Sequence, residues 1–171
     1  MRNFGNALLL AIGLTLLSEP ALASVPVPDV GAADLVVIEK SRRQMRLYSG
    51  SRLLARYYVA LGRSPVGNKQ CRGDNRTPEG TYTISGRKPN SDFYRALRIS
   101  YPSAQDVARA HRMGCDPGGD IMIHGLRPGS AENARKHQYS DWTFGCVAVT
   151  NEEIEQIWAA VPDGTRVLIK P

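Results

Sequence analysis

Three cysteines and three histidines among 171 residues leave this sequence poor in the side chains that bind metals and carry redox chemistry. No Cys-x-x-Cys and no His-x-x-x-His pair occurs among them. A structural zinc site and a dithiol oxidoreductase both need such closely spaced pairs, so neither is expected, and no metal or organic cofactor is assigned. The apolar run near the N-terminus, Ala7–Leu17, is well short of the roughly 20 residues that span a bilayer, so stable membrane insertion is not expected. Internal repeats, low-complexity tracts and interdomain linkers are absent. The net charge is only +6 and is spread along the chain rather than gathered in a block. That distribution argues against a nucleic-acid partner, while it suits an acidic polymer.

What is present begins with an export pattern. "MRNFGNALLLAIGLTLLSEPALA" carries Arg2, then the apolar run, then Pro20 and an Ala-x-Ala site at Ala21–Ala23. The expectation is a signal peptide over 1–23, a short Pro-bearing leader over 24–33, one domain over 34–171, and a periplasmic location. In such an oxidising compartment an odd number of cysteines leaves one unpaired. Cys71 ("NKQCRGD") and Cys115 ("RMGCDPG") sit in polar, Gly-rich loops and form the expected disulfide. Cys146, in "WTFGC", is then the free thiol.

Hydrophobic periodicity gives the elements. "DLVVIEK" reads as a strand, and "QMRLYSGSRLLARYYVALG" as two extended segments joined at "SGS". "TYTISGRK" sets Tyr82 and Ile84 against Thr81 and Thr83, the period of a half-buried strand. "GNKQCRGDNRTPEG" has the composition of a long turn, with "RTPEG" as a structural Pro-Gly device. "ALRISYP" is a strand stopped by Pro102, and Ser103 caps a short helix through "AQDVARAHRM". "DIMIHG" is a short strand ending at His124 and Gly125, followed by a polar stretch with a helical turn at "SAENARKH". In "TNEEIEQIWAAV", Thr150 and Glu153 make a capping box, and Ile154, Ile157, Trp158 and Val161 share one face. "TRVLIKP" is the last strand. The fold class is mainly β with a few short helices.

A cysteine directly behind a glycine, with a histidine ending a strand 22 residues earlier, has a chemical reading. A thiol attacks a carbonyl only as the thiolate, and a neighbouring imidazole can take its proton. The oxyanion formed on attack needs backbone N–H donors that approach without side chains in the way, which suits Gly145 before Cys146. The carbonyl of Gly125 is the nearest candidate to hold the second imidazole nitrogen of His124. The bland alternative is a buried inert Cys146 and a core histidine.

"IHG" ending a strand, a loop, then "TFGCV" leading into a helix resembles the YkuD-type L,D-transpeptidase catalytic domain. "VALGRSPVGNKQ", "GDNRTPEGTYTI", "DPGGDIMIHGL" and "DWTFGCVAVTNEEIEQIW" are similar to its YafK-like (ErfK/YbiS/YcfS/YnhG) branch, in the same order, from about Asp34 to Ile169. The resemblance implies a single β-sandwich or barrel domain with Cys146 as nucleophile and His124 as base. It further implies Gly125 as backbone orienter and Gly145 with Cys146 as the oxyanion hole. The implied reaction is acyl transfer on peptidoglycan stem peptides through a Cys146 thioester, without a cofactor. Two residues depart from the family pattern: Phe144 stands where a His is usual before Gly-Cys, and Ala148 where an Arg is usual. These departures leave the acceptor open. An amine makes the protein a transferase. Water makes it a hydrolase, of the kind that cuts the diaminopimelate–lysine amide tying a lipoprotein to the wall. An inactive wall-binding module is the third class.

Arg127, Trp142, Thr143 and Phe144 are the remaining substrate-binding candidates. Arg127 follows "HGL" and offers a guanidinium to a substrate carboxylate; Trp142 lines the groove or anchors the core beneath it. His137 is a second proton carrier or an exposed loop residue, and His111 lies on a helix surface.

Overall fold

A computed structural model describes residues 31–129 and 139–171. The expected signal peptide, most of the leader, the "SAENARKH" turn and His137 lie outside the described residues. Eight strands and two helices make up the described fold: β1 (Leu35–Glu39), β2 (Gln44–Ser49), β3 (Arg52–Tyr58), β4 (Gly80–Ser91), β5 (Tyr94–Ile99), α1 (Ala104–Arg112), β6 (Met122–His124), β7 (Val147–Ala148), α2 (Asn151–Ala160) and β8 (Arg166–Lys170).

The strands form one sheet in the order β3-β2-β1-β8-β4-β5-β6-β7. β1 lies between an antiparallel β2 and a parallel β8, and its three central residues, Val36, Val37 and Ile38, are all buried. That continuous apolar run is the mark of a strand covered on both faces. β2 faces the core with Met45 and Leu47 only, following the two-residue period of a strand with one wet face. β4 pairs with β8 over its first half and with β5 over its second. The change of partner falls at a register shift between Ile84 and Gly86, and such an irregularity bends a strand. The strand runs beyond "TYTISGRK" through Pro89 to Ser91. Pro89 is accommodated because a second register shift interrupts the β5 ladder between Lys88 and Ser91.

The two edges of the sheet meet. Just past β3, Ala60 and Ala148 exchange both backbone bonds, at 3.0 and 2.9 Å. Gly62 bridges Thr143 beside them. The sheet therefore curls round and closes on itself, removing the open edge that would otherwise invite pairing with another chain.

Both helices begin with reciprocal capping boxes, Ser103 with Asp106 and Thr150 with Glu153. α2 buries Ile154, Ile157 and Ala160 in the common core. Trp158 sits at the margin of that core, its ring covered by the guanidinium groups of Arg87 and Arg95. Burying one leucine- or isoleucine-sized side chain contributes about 1.5–3 kcal/mol, so the α2 face alone is worth several such units.

Candidate active site

β6 and β7 run parallel, with Ile123 opposite Val147 and His124 opposite Ala148. Side chains alternate along a strand, so His124 shares a face with Ala148, and Cys146, two residues earlier, continues that row. The pairing of the two strands thus places His124 beside Ala148, two residues from Cys146, although 22 residues separate His124 and Cys146 in the chain.

His124 is almost fully buried. Its Nδ1 lies 2.7 Å from the carbonyl oxygen of Gly125. A carbonyl only accepts, so Nδ1 is the donor in this contact. The ring is fixed on its flanks by Phe93, with centroids 4.5 Å apart, and by the edge of Trp142 at 5.8 Å. Gly125 has a steric reason to be glycine: a Cβ there would fall 2.5 Å from Asn151 Oδ1. The same Asn151 oxygen accepts from the N–H of Leu126 at 2.7 Å, pinning the chain as it leaves β6 to the start of α2.

The nucleophile loop is braced on three sides. Arg43 donates to Asp141 Oδ2 from Nε and Nη2, and Asp141 Oδ1 accepts from the N–H of Leu61. Thr143 is buried; its hydroxyl accepts from the N–H of Gly145 at 3.1 Å and donates to the carbonyl of Cys146 at 2.8 Å. Gly145 has φ +132°, and a Cβ would meet the carbonyl oxygen of Arg76 at 2.8 Å. Gly62 is as tightly placed, since its Cβ would sit 2.2 Å from the carbonyl oxygen of Asn75. The "RTPEG" turn is consequently part of the site's wall. Buried Lys40 holds that turn by donating to the carbonyls of Gly67 and Thr77 and to Glu79 Oε1, and Thr77 Oγ1 accepts from the N–H of Gly62.

Cys146 is the free cysteine, and Cys71 and Cys115 are bonded to each other. That bond ties the loop after Gly67 to the loop following α1, as do the Arg72–Asp116 ion pair and the Arg72 N–H to Asp116 carbonyl bond. The Cys146 Sγ donates to the carbonyl of Asp120 at 3.5 Å. Burial pushes the thiol above its ordinary range; the Met122 amide and Lys69 pull the other way, and Asp120 reinforces the rise.

The expected substrate contacts divide. Arg127 is exposed with its guanidinium 5.0 Å above the Phe93 ring. Phe144 is 69% exposed and carries the guanidinium of Arg63 at 4.7 Å. Trp142 is half-buried against His124 and Phe93. Thr143 turns inward, its hydroxyl used on the loop's own backbone, and the Gly145 N–H expected in the oxyanion hole is directed at that hydroxyl. Phe93, Asn151, Asp141 and Arg63 were not marked by the sequence, because each acts through a partner distant in the chain.

The closed sheet thus carries a histidine at the end of one strand and a glycine-preceded cysteine immediately before the start of its parallel neighbour. The YkuD family, the L,D-transpeptidase catalytic domain, matches residues 33–169, and the chain belongs to it. YafK of Escherichia coli strain K12, a protein named as an L,D-transpeptidase, is 30% identical over 138 residues, covering 77% of this chain and 48% of YafK. YqjB of Bacillus subtilis, named likewise, is 27% identical over 135 residues, covering 78% of this chain and 69% of YqjB. Among solved structures, the helical cell shape determining protein Pgp2 from Campylobacter jejuni superposes with a TM-score of 0.63 at 25% identity, over 82% of this chain and 48% of Pgp2. The chain spans about half the length of YafK and of Pgp2. LdtMt1 in complex with imipenem shares the fold, with a TM-score of 0.53 at 16% identity over 82% of this chain and 60% of LdtMt1. No helix among the described residues is long and apolar enough to cross a membrane.

Proposed function

We propose that this protein is an exported thiol acyltransferase of the periplasm that acts on peptidoglycan stem peptides. Cys146 Sγ attacks an L,D-peptide carbonyl while its proton passes to His124 Nε2. The new S–C bond makes a tetrahedral oxyanion, and collapse breaks the C–N bond as the imidazolium returns its proton to the leaving amine. A second stem-peptide amine then attacks the thioester and regenerates the thiol. Atoms and protons balance without metal or organic cofactor. With the Gly145 N–H engaged by Thr143, the amide of Cys146 itself is assigned to the oxyanion, and Gly145 contributes the open approach and the φ that aims it.

The observation that carries this reading is the 2.7 Å contact between His124 Nδ1 and the Gly125 carbonyl, which orients the imidazole at the end of the strand paired with the one that Cys146 leads into. Membership of the L,D-transpeptidase family supports the substrate, and likeness to a cell shape determinant supports a role in wall architecture.

A second reading replaces the amine by water, making the protein a hydrolase of the amide between wall and lipoprotein. It is favoured by Ala148, which occupies the position of the family's usual Arg and is fully buried in its bridge with Ala60. No fixed charge at that position is left to seat a second anionic peptide. Mass spectrometry of muropeptides after incubating the purified protein with intact sacculi separates the readings. New 3-3 cross-links support the transferase, and loss of lipoprotein remnants supports the hydrolase. No change with wild-type protein, or the same change with Cys146→Ala, would sink both and leave a wall-binding module.

A further inference from the structure

Phe144 is a large apolar side chain left mostly in solvent two residues before the nucleophile. Exposure of this kind is costly to explain by packing, because nothing of the core depends on the ring. What it carries is a cation. Arg63 lies with its guanidinium carbon 4.7 Å from the Phe144 centroid, within the range of a cation–π contact. The arginine is seated twice more on the same loop: its N–H donates to the carbonyl of Thr143 at 3.0 Å, and its Nε to the carbonyl of Trp142 at 3.2 Å. Its backbone position is equally fixed, since the preceding Gly62 donates to buried Thr77 and abuts Gly145.

Arg43, Arg72, Arg87, Arg95 and Arg98 each spend their charge on a neighbouring carboxylate. Arg63 forms no ion pair among the described residues, although three contacts hold it in place. With Nε committed to Trp142, the edge formed by Nη1 and Nη2 is what remains for a partner, and that edge takes a carboxylate through two parallel bonds. Two residues of chain span at most about 7 Å, so the backbone of the residue under this guanidinium lies no further than that from the backbone of Cys146. Stacking on an aromatic face also holds the guanidinium flat and limits the rotamer freedom lost when an anion binds.

We propose that Arg63, laid on Phe144 and tied to the nucleophile loop, is a specificity-determining residue that binds a free carboxylate of the peptide whose carbonyl Cys146 attacks. The inference rests on the peptidoglycan reading above and refines it: the preferred substrate is an anionic peptide with an unblocked carboxylate close to the scissile bond. Arg127 on Phe93 stands on the histidine side of the site, whereas Arg63 stands on the cysteine side.

The test uses full protein carrying Cys146→Ala, which cannot acylate, titrated calorimetrically with a stem tetrapeptide and with the same peptide amidated at its C-terminus. The expected result is about tenfold tighter binding of the free acid. Adding Arg63→Met, which keeps an apolar stem over Phe144, should remove that preference by weakening the acid and not the amide. Arg63→Lys should restore part of it, because charge returns without the fork. Equal binding of acid and amide by the Arg63 protein, or a preference that survives Arg63→Met, overturns this proposal while leaving the acyl-transfer reading intact. Binding of neither peptide overturns that reading together with this one.

Discussion

The hydroxyl of Thr143 donates to the carbonyl of Cys146 at 2.8 Å and accepts from the N–H of Gly145 at 3.1 Å, so one buried side chain fixes the residue that reacts and the residue before it. Removing it leaves a buried amide and carbonyl unsatisfied, at a cost of about 1–3 kcal/mol. Thr143→Val should lower the rate of carbapenem acylation of Cys146 by roughly tenfold or more, since misplacing a reacting atom by an ångström can cost that much. Thr143→Ser, which keeps the hydroxyl, should retain most of the rate. Intact-mass kinetics read both.

In the proposed mechanism His124 acts as the base through Nε2, with Nδ1 donating to Gly125. His124→Gln should reduce acylation by on the order of 10²–10⁴-fold, the usual contribution of a positioned general base. Thermal unfolding of the variant checks that the loss is chemical. A variant that unfolds normally and acylates at the wild-type rate would remove His124 from the mechanism.

The state of the thiol predicts a pH profile. Burial holds the Cys146 thiol above its ordinary value, which for a free cysteine is about 8.5. Alkylation by iodoacetamide in the absence of substrate should therefore rise later than that of a free cysteine and keep rising beyond pH 8.5. The sign for stability follows from the same shift. A group raised in the folded state contributes fully below its unfolded value, and the contribution declines as the pH climbs above about 8.5. A plateau of reactivity below pH 7 would instead reveal a resting thiolate–imidazolium pair.

Lys40 is buried in a strand end and donates to Gly67, Thr77 and Glu79. Lys40→Met leaves the Glu79 carboxylate and two carbonyls without their cation and should destabilise the protein by about 3–5 kcal/mol. Because the held turn abuts Gly62 and Gly145, acylation should slow at temperatures where the variant is still folded. Denaturant unfolding and adduct kinetics on the same sample separate the two effects.

The disulfide closes a separation of 44 residues between loops on either side of α1. Replacing both cysteines by serine should cost about 4 kcal/mol by loop-closure entropy. Among the described residues Cys146 is then the remaining cysteine, so a thiol count of one in the oxidised wild type under denaturing conditions confirms the pairing.

Much of this architecture is written in local signals. The Ser103 cap and the capping box at Thr150 locate both helices, and the alternation at Tyr82 and Ile84 locates the start of β4. His124 at a strand end and Gly145 before Cys146 are legible for the same reason: the chemistry needs neighbours in sequence. The rest depends on partners far along the chain. Nothing in "DLVVIEK" announces that its lysine is buried beneath a turn starting some 30 residues later, or that β8 inserts between β1 and β4. Phe93 lies in "SDFYR", which has no periodicity, yet its ring covers the imidazole.

The bridge between Ala60 and Ala148 joins the first and last strands of the row two positions after Cys146 in the chain. One pair of backbone bonds thus closes the ring and moors the segment that carries the free thiol. In the mechanism proposed above, a substitution that loosens this clasp frees the sulfur and the sheet edge together.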